Sequence, residues 1–277
     1  MNEEAVVDLF QGIRLTPTQR RIAHSLVEHA GAAAYLSAAE IAQLAGVSQP
    51  SVTRFAMALG YDGYPALRRQ LRELVGNSQR PAPETGGNEL QRAVRAEIDN
   101  LVRLADQLAD PGPLAAAGAL LAATDPLPVL GLRAAAPLAA YFGYFAGKVL
   151  PDVRVLDTGG SLLTDRLEQA HDAGATAMLA IVLPRYPREA LDALREARAA
   201  GLSVVVLTDS PVSPAADLAD VTLPAAVGAQ LVFDLHAAPM AMAMALLQAI
   251  CDAAPERAQR RLEQFELSAA RRGVFID

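Results

Sequence analysis

The sequence predicts an all-α helix-turn-helix domain joined to an α/β domain, a parallel sheet with helices on both faces. Three observations predict this. Residues 1–75 read as helical throughout, with capping signals and turn glycines at fixed offsets. A polar stretch at 76–88, bearing Gly and Pro, has no apolar periodicity and reads as an interdomain linker. After it, short apolar runs alternate with helical segments, the pattern of a parallel sheet covered on both sides. The expected boundaries are 1–76 for the first domain, 77–88 for the linker and 89–277 for the second domain.

The totals are compatible with that division. A chain of 277 residues suits one large or two ordinary domains, and 52% hydrophobic residues can supply a core to each. The longest apolar stretch, 237–250, is too short to span a bilayer, and the acidic N-terminus carries no signal-peptide pattern, so a cytoplasmic location without membrane contact is expected. The single cysteine, Cys251, rules out an internal disulfide and a cysteine-cluster metal site. No cofactor is expected. The net charge of −7 is unevenly placed. Residues 1–80 hold eight Arg against seven acidic residues, so the acidity belongs to the rest of the chain. Lys148 is the only lysine, so phosphate contacts would fall to Arg and backbone N–H groups.

Two capping boxes organise the first domain. Thr16-Pro17-Thr18-Gln19 starts one helix and Ser37-Ala38-Ala39-Glu40 another. The second of these carries Ile41, Leu44 and Ala45 on one face and stops at Gly46, which can take the left-handed conformation of a sharp turn. Val47 plugs the corner. Ser48 is expected to cap a third helix with Val52, Phe55 and Leu59 inward, and Gly60 ends it. This is helix-turn-helix chemistry over residues 37–59 and implies double-stranded operator DNA as partner. Ser48, Ser51 and the N-terminal amides suit phosphate, while Gln49, Thr53 and Arg54 point to base edges. Arg68, Arg69 and Arg72 on the next helix either touch phosphate or form a solvated face.

In the second domain, a helix over 89–109 carries Leu90, Val94, Ile98, Leu101 and Leu104 at helical spacing, and an Ala-rich helix runs to about residue 123. Strands are expected at 127–132, 153–156, 177–183, 203–208 and 221–223, and helices near 135–149, 161–173, 187–200 and 230–252. Ligands of such sheets bind beyond the carboxyl ends of the strands, here loops 131–136, 157–161, 183–189 and 208–214. Arg133, Arg185 and Arg188 stand on those loops, and guanidinium groups hold carboxylate or phosphate in bidentate pairs. Tyr186 lies beside Arg185 between two prolines. Thr208, Asp209 and Ser210 follow the fourth strand and either meet ligand or cap the turn. Arg133 is open between a ligand contact and a structural salt bridge. His236, inside the last of these helices, reads as core or interface.

The stretch LTPTQRRIAHSLVEHAGAAAYLSAAEIAQLAGVSQPSVTRFAMALGYDGYPALRRQL resembles the N-terminal domain of RpiR-type regulators, most specifically in VSQPSVTRFAMALGYDGYPALR and its Gly60-Tyr61-Asp62-Gly63-Tyr64 turn. That family pairs the reader with a sugar isomerase (SIS) domain, which binds phosphosugars. The segment from Val204 to Pro214, followed by Ala219-Asp220, is similar to the SIS strand and its following loop. Two departures stand out. Gly131-Leu132-Arg133-Ala134-Ala135-Ala136 replaces the family's Gly-x-Gly-x-Ser loop, and Leu183-Pro184-Arg185-Tyr186-Pro187-Arg188-Glu189 replaces its Ser-x-Ser-Gly-x-Thr loop. The resemblance implies a transcription regulator controlled by a small anionic metabolite of the sugar phosphate or sugar acid class. A homodimer or homotetramer is expected, assembled through the second domain and the helices at 89–123 and 254–272. The rival reading is an SIS-type sugar-phosphate isomerase. Such an enzyme needs a general base beside the substrate carbon and a phosphate anchor, and Glu189 is the nearest candidate base on these loops.

Overall fold

The computed structural model describes residues 6–10, 15–34, 36–77, 88–229 and 231–276. Most of the expected linker, 78–87, lies outside them. The chain falls into two compact units, one of Met1–Arg92 with Ser210–Ser213 and the other of Ala93–Asp209 with Pro214–Asp277.

The first unit is helical. Its described helices are α1 (Pro17–Glu28), the short α2 (Ala30–Ala33), α3 (Ala38–Leu44), α4 (Gln49–Ala58) and α5 (Tyr64–Asn77). Both capping boxes form: Thr16 and Ser37 each accept from the backbone N–H three residues on, and Gln19 and Glu40 reach back to the capping residues' own N–H groups. The Ser37 contacts also hold the Glu40 carboxyl below the usual carboxylate range, because they favour its charged form. Ile22, Leu26, Ile41, Val52, Phe55, Leu67 and Leu71 share one buried cluster, and the Phe10 and Phe55 rings meet at 5.8 Å. Leu44, expected inward, is largely exposed. It follows Ile41 by three positions but falls on the outer edge of a helix only seven residues long.

The second unit takes up α6 (Glu89–Gln107) from Ala93 onward. It continues with α7 (Gly112–Ala123), β1 (Leu127–Gly131), α8 (Ala136–Val149), β2 (Val153–Leu156), α9 (Ser161–Asp172), β3 (Ala177–Val182), α10 (Arg188–Ala199), β4 (Ser203–Thr208) and β5 (Val221–Pro224). Helices α11 (Ala237–Ala253) and α12 (Pro255–Arg272) complete it. All strands pair in parallel in the order β2-β1-β3-β4-β5. Side chains alternate across the sheet as the two-residue period requires. Val129, Leu179, Ile181, Val205 and Leu207 face a core shared with α7, α8 and α11. Leu130, Met178, Ala180, Val204 and Val206 face the layer formed by α9 and α10. Where α7 meets α11, Gly118 is obligatory: a Cβ there would stand 2.6 Å from the Ala249 carbonyl carbon. Among the described residues no single helix is long and apolar enough to cross a membrane.

Two expectations for this unit are corrected. The last sheet helix starts at Ala237, not near 230. Gly228 and Leu235 instead form an antiparallel bridge through two backbone hydrogen bonds, 3.0 and 2.8 Å, and hold the preceding residues in a loop whose tip exposes Val232 and Phe233. His236 therefore sits at the N-cap of α11, outside the helix. In α6 the apolar stripe is split. Leu90, Val94 and Ile98 are exposed by more than half, whereas Leu104 is buried and Leu101 packs against the core, beside buried Ala93, Glu97 and Asn100.

Candidate functional site

In the first unit the turn between α3 and α4 has the geometry its glycine allows. Gly46 takes φ +60°, and the Val47 N–H donates to the Ala42 carbonyl at 2.9 Å, closing the corner. Buried Val52 and Phe55 fix the inner face of α4, so Gln49 and Arg54 stand exposed on the other. Thr53 is half-buried, its methyl group beside Gly63. Ser48 occupies the N-cap, but its hydroxyl does not cap a backbone N–H as expected. It pairs with the Ser51 hydroxyl at 2.9 Å, and Ser51 accepts from Arg54 Nη2 at 3.2 Å. A polar chain thus runs along the exposed first turns of α4, with the first-turn amides free of a hydroxyl cap.

The turn after α4 explains the two glycines of its motif. Gly60 and Gly63 take φ +87° and +79°, a backbone that L side chains rarely adopt. The reversal lets Tyr64 enter the core at the start of α5, where its hydroxyl donates to the Leu36 carbonyl at 3.1 Å. Burial pushes this phenol up to about 12, so it remains a neutral donor. On α5, Arg69 is exposed, and Arg68 is half-buried near Glu40 and Tyr64. That proximity joins Arg68 to the framework of the reader.

In the second unit the strand order places a topological switch between β1 and β3, since the chain leaves β1 for one side of the sheet and returns to β3 on the other. The two loops that flank this crevice are 132–135 and 183–187. Each carries an arginine in the left-handed region: Arg133 at φ +54° and Arg185 at φ +63°. Among the described residues no other non-glycine has positive φ. Such a conformation costs about 1–2 kcal/mol for a residue with a Cβ. Position 133 is the second glycine of the Gly-x-Gly pattern, so the backbone keeps the glycine conformation while the side chain changes. The first glycine is kept for space, because a Cβ on Gly131 would meet the Ala139 Cβ at 2.5 Å and the Ala135 carbonyl oxygen at 2.8 Å. Arg133, Arg185 and Arg188 are exposed, and their guanidinium groups form no ion pair with the described residues.

Other expected residues gather on the β4 side. Tyr186 donates to Asp209 Oδ2 at 3.1 Å and the buried Thr208 donates to Asp209 Oδ1 at 3.1 Å, so both carboxylate oxygens are oriented. Ser210 accepts from the Val212 N–H at 3.3 Å, the turn-capping arrangement. Glu189 sits in the first turn of α10, its carboxylate filling the space beside Gly159 that a Cβ would need. The missed residue is Glu97. It is 5% exposed; Oε1 accepts from the Ala238 N–H at 3.1 Å and Oε2 from Asn100 Nδ2 at 2.8 Å. Arg103 in turn donates to Asn100. A carboxylate on α6 thus caps α11. Nothing local in the sequence marks it, because the partner N–H lies 141 residues away.

Arg133→Gly tests the strained loop. Relief of the left-handed penalty outweighs the added chain entropy, so a stability gain of about 0.5–1 kcal/mol is expected in urea unfolding. A loss instead would mean the guanidinium braces the fold.

Two family models match the chain: "Helix-turn-helix domain, rpiR family" over residues 10–78 and "SIS domain" over 127–249. The HTH-type transcriptional regulator HexR of Pseudomonas aeruginosa is 27% identical over 220 residues, which are 76% of this chain and 75% of that protein. An uncharacterized HTH-type transcriptional regulator of Escherichia coli, YfhH, is 34% identical over 88 residues, 32% of this chain and 29% of its own length. Among solved structures, the sugar isomerase domain of an RpiR transcription factor from Sphaerobacter thermophilus aligns with TM-score 0.57 and 29% identity over 63% of this chain and 96% of that one. The Vibrio vulnificus NanR protein, complexed with ManNAc-6P, aligns with TM-score 0.59 and 18% identity over 98% of this chain and 99% of that one, a likeness of fold.

Proposed function

The chain belongs to the rpiR family of helix-turn-helix transcriptional regulators and carries a SIS domain behind its reader, and on that premise we propose that a small anionic metabolite, bound at the β1/β3 switch point, governs its affinity for operator DNA. The observation that carries this reading is the pair of left-handed arginines, Arg133 and Arg185, on the two loops flanking the crevice. Strain of this kind persists where surrounding structure holds a side chain in place for use. Two guanidinium forks suit the paired oxygens of a carboxylate or a phosphate. Arg188 adds positive charge, Tyr186 and Asp209 offer hydrogen bonds to hydroxyl groups, and the buried Thr208 orients Asp209 from behind. The ligand class is a sugar phosphate or sugar acid. NanR was solved with ManNAc-6P, which supports a phosphosugar-like ligand here, while the arginine loops in place of hydroxyl loops support an anion held by different chemistry.

On the DNA side, Ser48, Ser51 and the α4 amides take phosphate, with Arg68 and Arg69 on α5 near the backbone. Gln49, Thr53 and Arg54 read bases. The domains are the reader at 1–76, the linker at 77–88 and the sensing and assembly domain at 89–277. Two or four copies assemble through the second domain, and the exposed stripe of α6 supports its part in that assembly. Ligand shifts the DNA affinity by the difference in its binding to the two states of the assembly.

A titration of the protein's own promoter fragment, with and without sugar phosphates and sugar acids, tests the reading. Specific, salt-sensitive binding that one such anion shifts is the expected result. If no such anion raises the melting temperature in a way that Arg133→Ala together with Arg185→Ala removes, the sensing half of the proposal fails. Arg54→Ala is expected to lower the ratio of specific to nonspecific binding by roughly ten- to a hundredfold, as loss of one arginine–guanine pair would. An unchanged ratio would show that Arg54 is not a base reader.

A further inference from the structure

The last two helices form an unfilled elbow. Helix α12 turns 110° from α11 at Ala254. The inside of the turn is a groove with an apolar floor that includes Cys251, Pro255, Leu262 and Leu267. Its charged lining residues, Asp252, Glu263 and Glu266, are all acidic. Leu262 and Leu267 stand exposed there.

The complementary segment lies at the other end of the same helix. Arg271 and Arg272 fill the last turn of α12. Gly273, at φ +60°, stops the helix, and the Val274 N–H closes the turn on the Ala269 carbonyl at 3.1 Å. Val274, Phe275 and Ile276 then project into solvent, Ile276 fully exposed. Two cations followed by three apolar side chains match, in order and in sign, an acidic rim above an apolar floor.

Phe275 cannot reach the α11 end of the groove in its own chain. The helix rises about 26 Å from Pro255 to Arg272, whereas residues 273–276 extend at most about 14 Å, enough to return to Glu266 and Leu267 but not to Cys251 and Pro255. For this segment to fill the Cys251 end, it must come from another copy. An antiparallel crossing of α12 on α12 about a two-fold axis brings each basic, apolar end over the other copy's elbow, and the contact is then made twice. We propose that the segment 271–276 of one copy docks in the α11–α12 groove of a second copy, with Phe275 on the apolar floor and Arg271 and Arg272 against Asp252, Glu263 and Glu266.

The lone cysteine on the groove floor makes the test direct. In the full chain, Phe275→Cys is expected to give a covalent dimer on mild oxidation, read on a non-reducing gel. Adding Cys251→Ala should abolish it, and the unsubstituted protein should give none. A cross-link that survives Cys251→Ala, one that closes within a single chain, or none although both thiols titrate after denaturation, overturns the proposal. Independently, Arg271→Glu with Arg272→Glu should raise the dissociation concentration of the assembly at least tenfold in sedimentation velocity, and Glu263→Arg with Glu266→Arg should restore it. Unchanged assembly in the arginine variant, or no recovery on reversing the rim, overturns it as well.

Discussion

Phe55→Ala is expected to abolish specific DNA binding while leaving the second unit folded. Phe55 is fully buried, packs against the Phe10 ring at 5.8 Å, and lies on the inner face of α4 beside Val52. Truncating a buried Phe to Ala costs about 3–5 kcal/mol through lost transfer energy and the cavity left behind. A small helical unit holds only about 5–15 kcal/mol in total, so a large share of its folded margin goes. The exposed residues Gln49 and Arg54 are untouched, but the helix that presents them is no longer fixed. The measurement is a gel-shift titration alongside circular dichroism melting. Two transitions are expected, with only the reader's moved downward. Full-strength operator binding by this variant would show that α4 is held by other contacts.

Glu97→Ala is expected to destabilise the second unit by about 2–4 kcal/mol, the cost of leaving buried donors unpaired and of losing an anion at a helix N-terminus. The carboxylate joins α6 to the first turn of α11 and orders Asn100 on the way. Gly228 leaves it room, since a Cβ there would come 2.6 Å from Glu97 Oε2. Glu97→Gln keeps an acceptor for Ala238 but brings an N–H₂ group against Asn100, so a smaller loss is expected, less than half that of the alanine. Urea unfolding followed by circular dichroism reads both. Equal losses in the two variants would mean that packing, not the cap, is what Glu97 supplies. Because α6 is the first helix after the linker, Glu97→Ala should also weaken any coupling between ligand and DNA.

The reader and the strands were legible because their signals are local. Thr16 and Gln19, or Ser37 and Glu40, are three residues apart and satisfy each other within one helical turn. A strand buried on both faces must be apolar along its length, and 177–183 and 203–208 read that way to within a residue of their observed ends. The run at 230–236 misled for the same reason. Leu231, Val232 and Phe233 look like helix-facing residues, but the Gly228–Leu235 bridge pins them in a loop. In α6 the apolar stripe is real, yet only its Leu101 and Leu104 end meets the core, together with Glu97 and Asn100, whose partners lie on distant elements or one turn away.

The candidate site divides along the same line. That Arg133, Arg185, Tyr186, Thr208 and Asp209 stand on strand-end loops followed from the alternation of strands and helices. Left-handed φ at Arg133 was open to inference from its place in the Gly-x-Gly pattern; at Arg185 no such pattern pointed to it. The Tyr186–Asp209 bond joins loops 23 residues apart and needed the sheet order to bring them together.

By itself the sequence determined the reader, the α/β class and the loops on which a ligand could bind. Each is written in periodicity and capping, which act over one or two turns of chain. Only the tertiary structure decided which face of α6 is buried, that Glu97 caps α11, and that two strained arginines flank one crevice. Those outcomes depend on groups brought together from far along the chain, where burial removes water and leaves each polar atom dependent on a partner that no local pattern names.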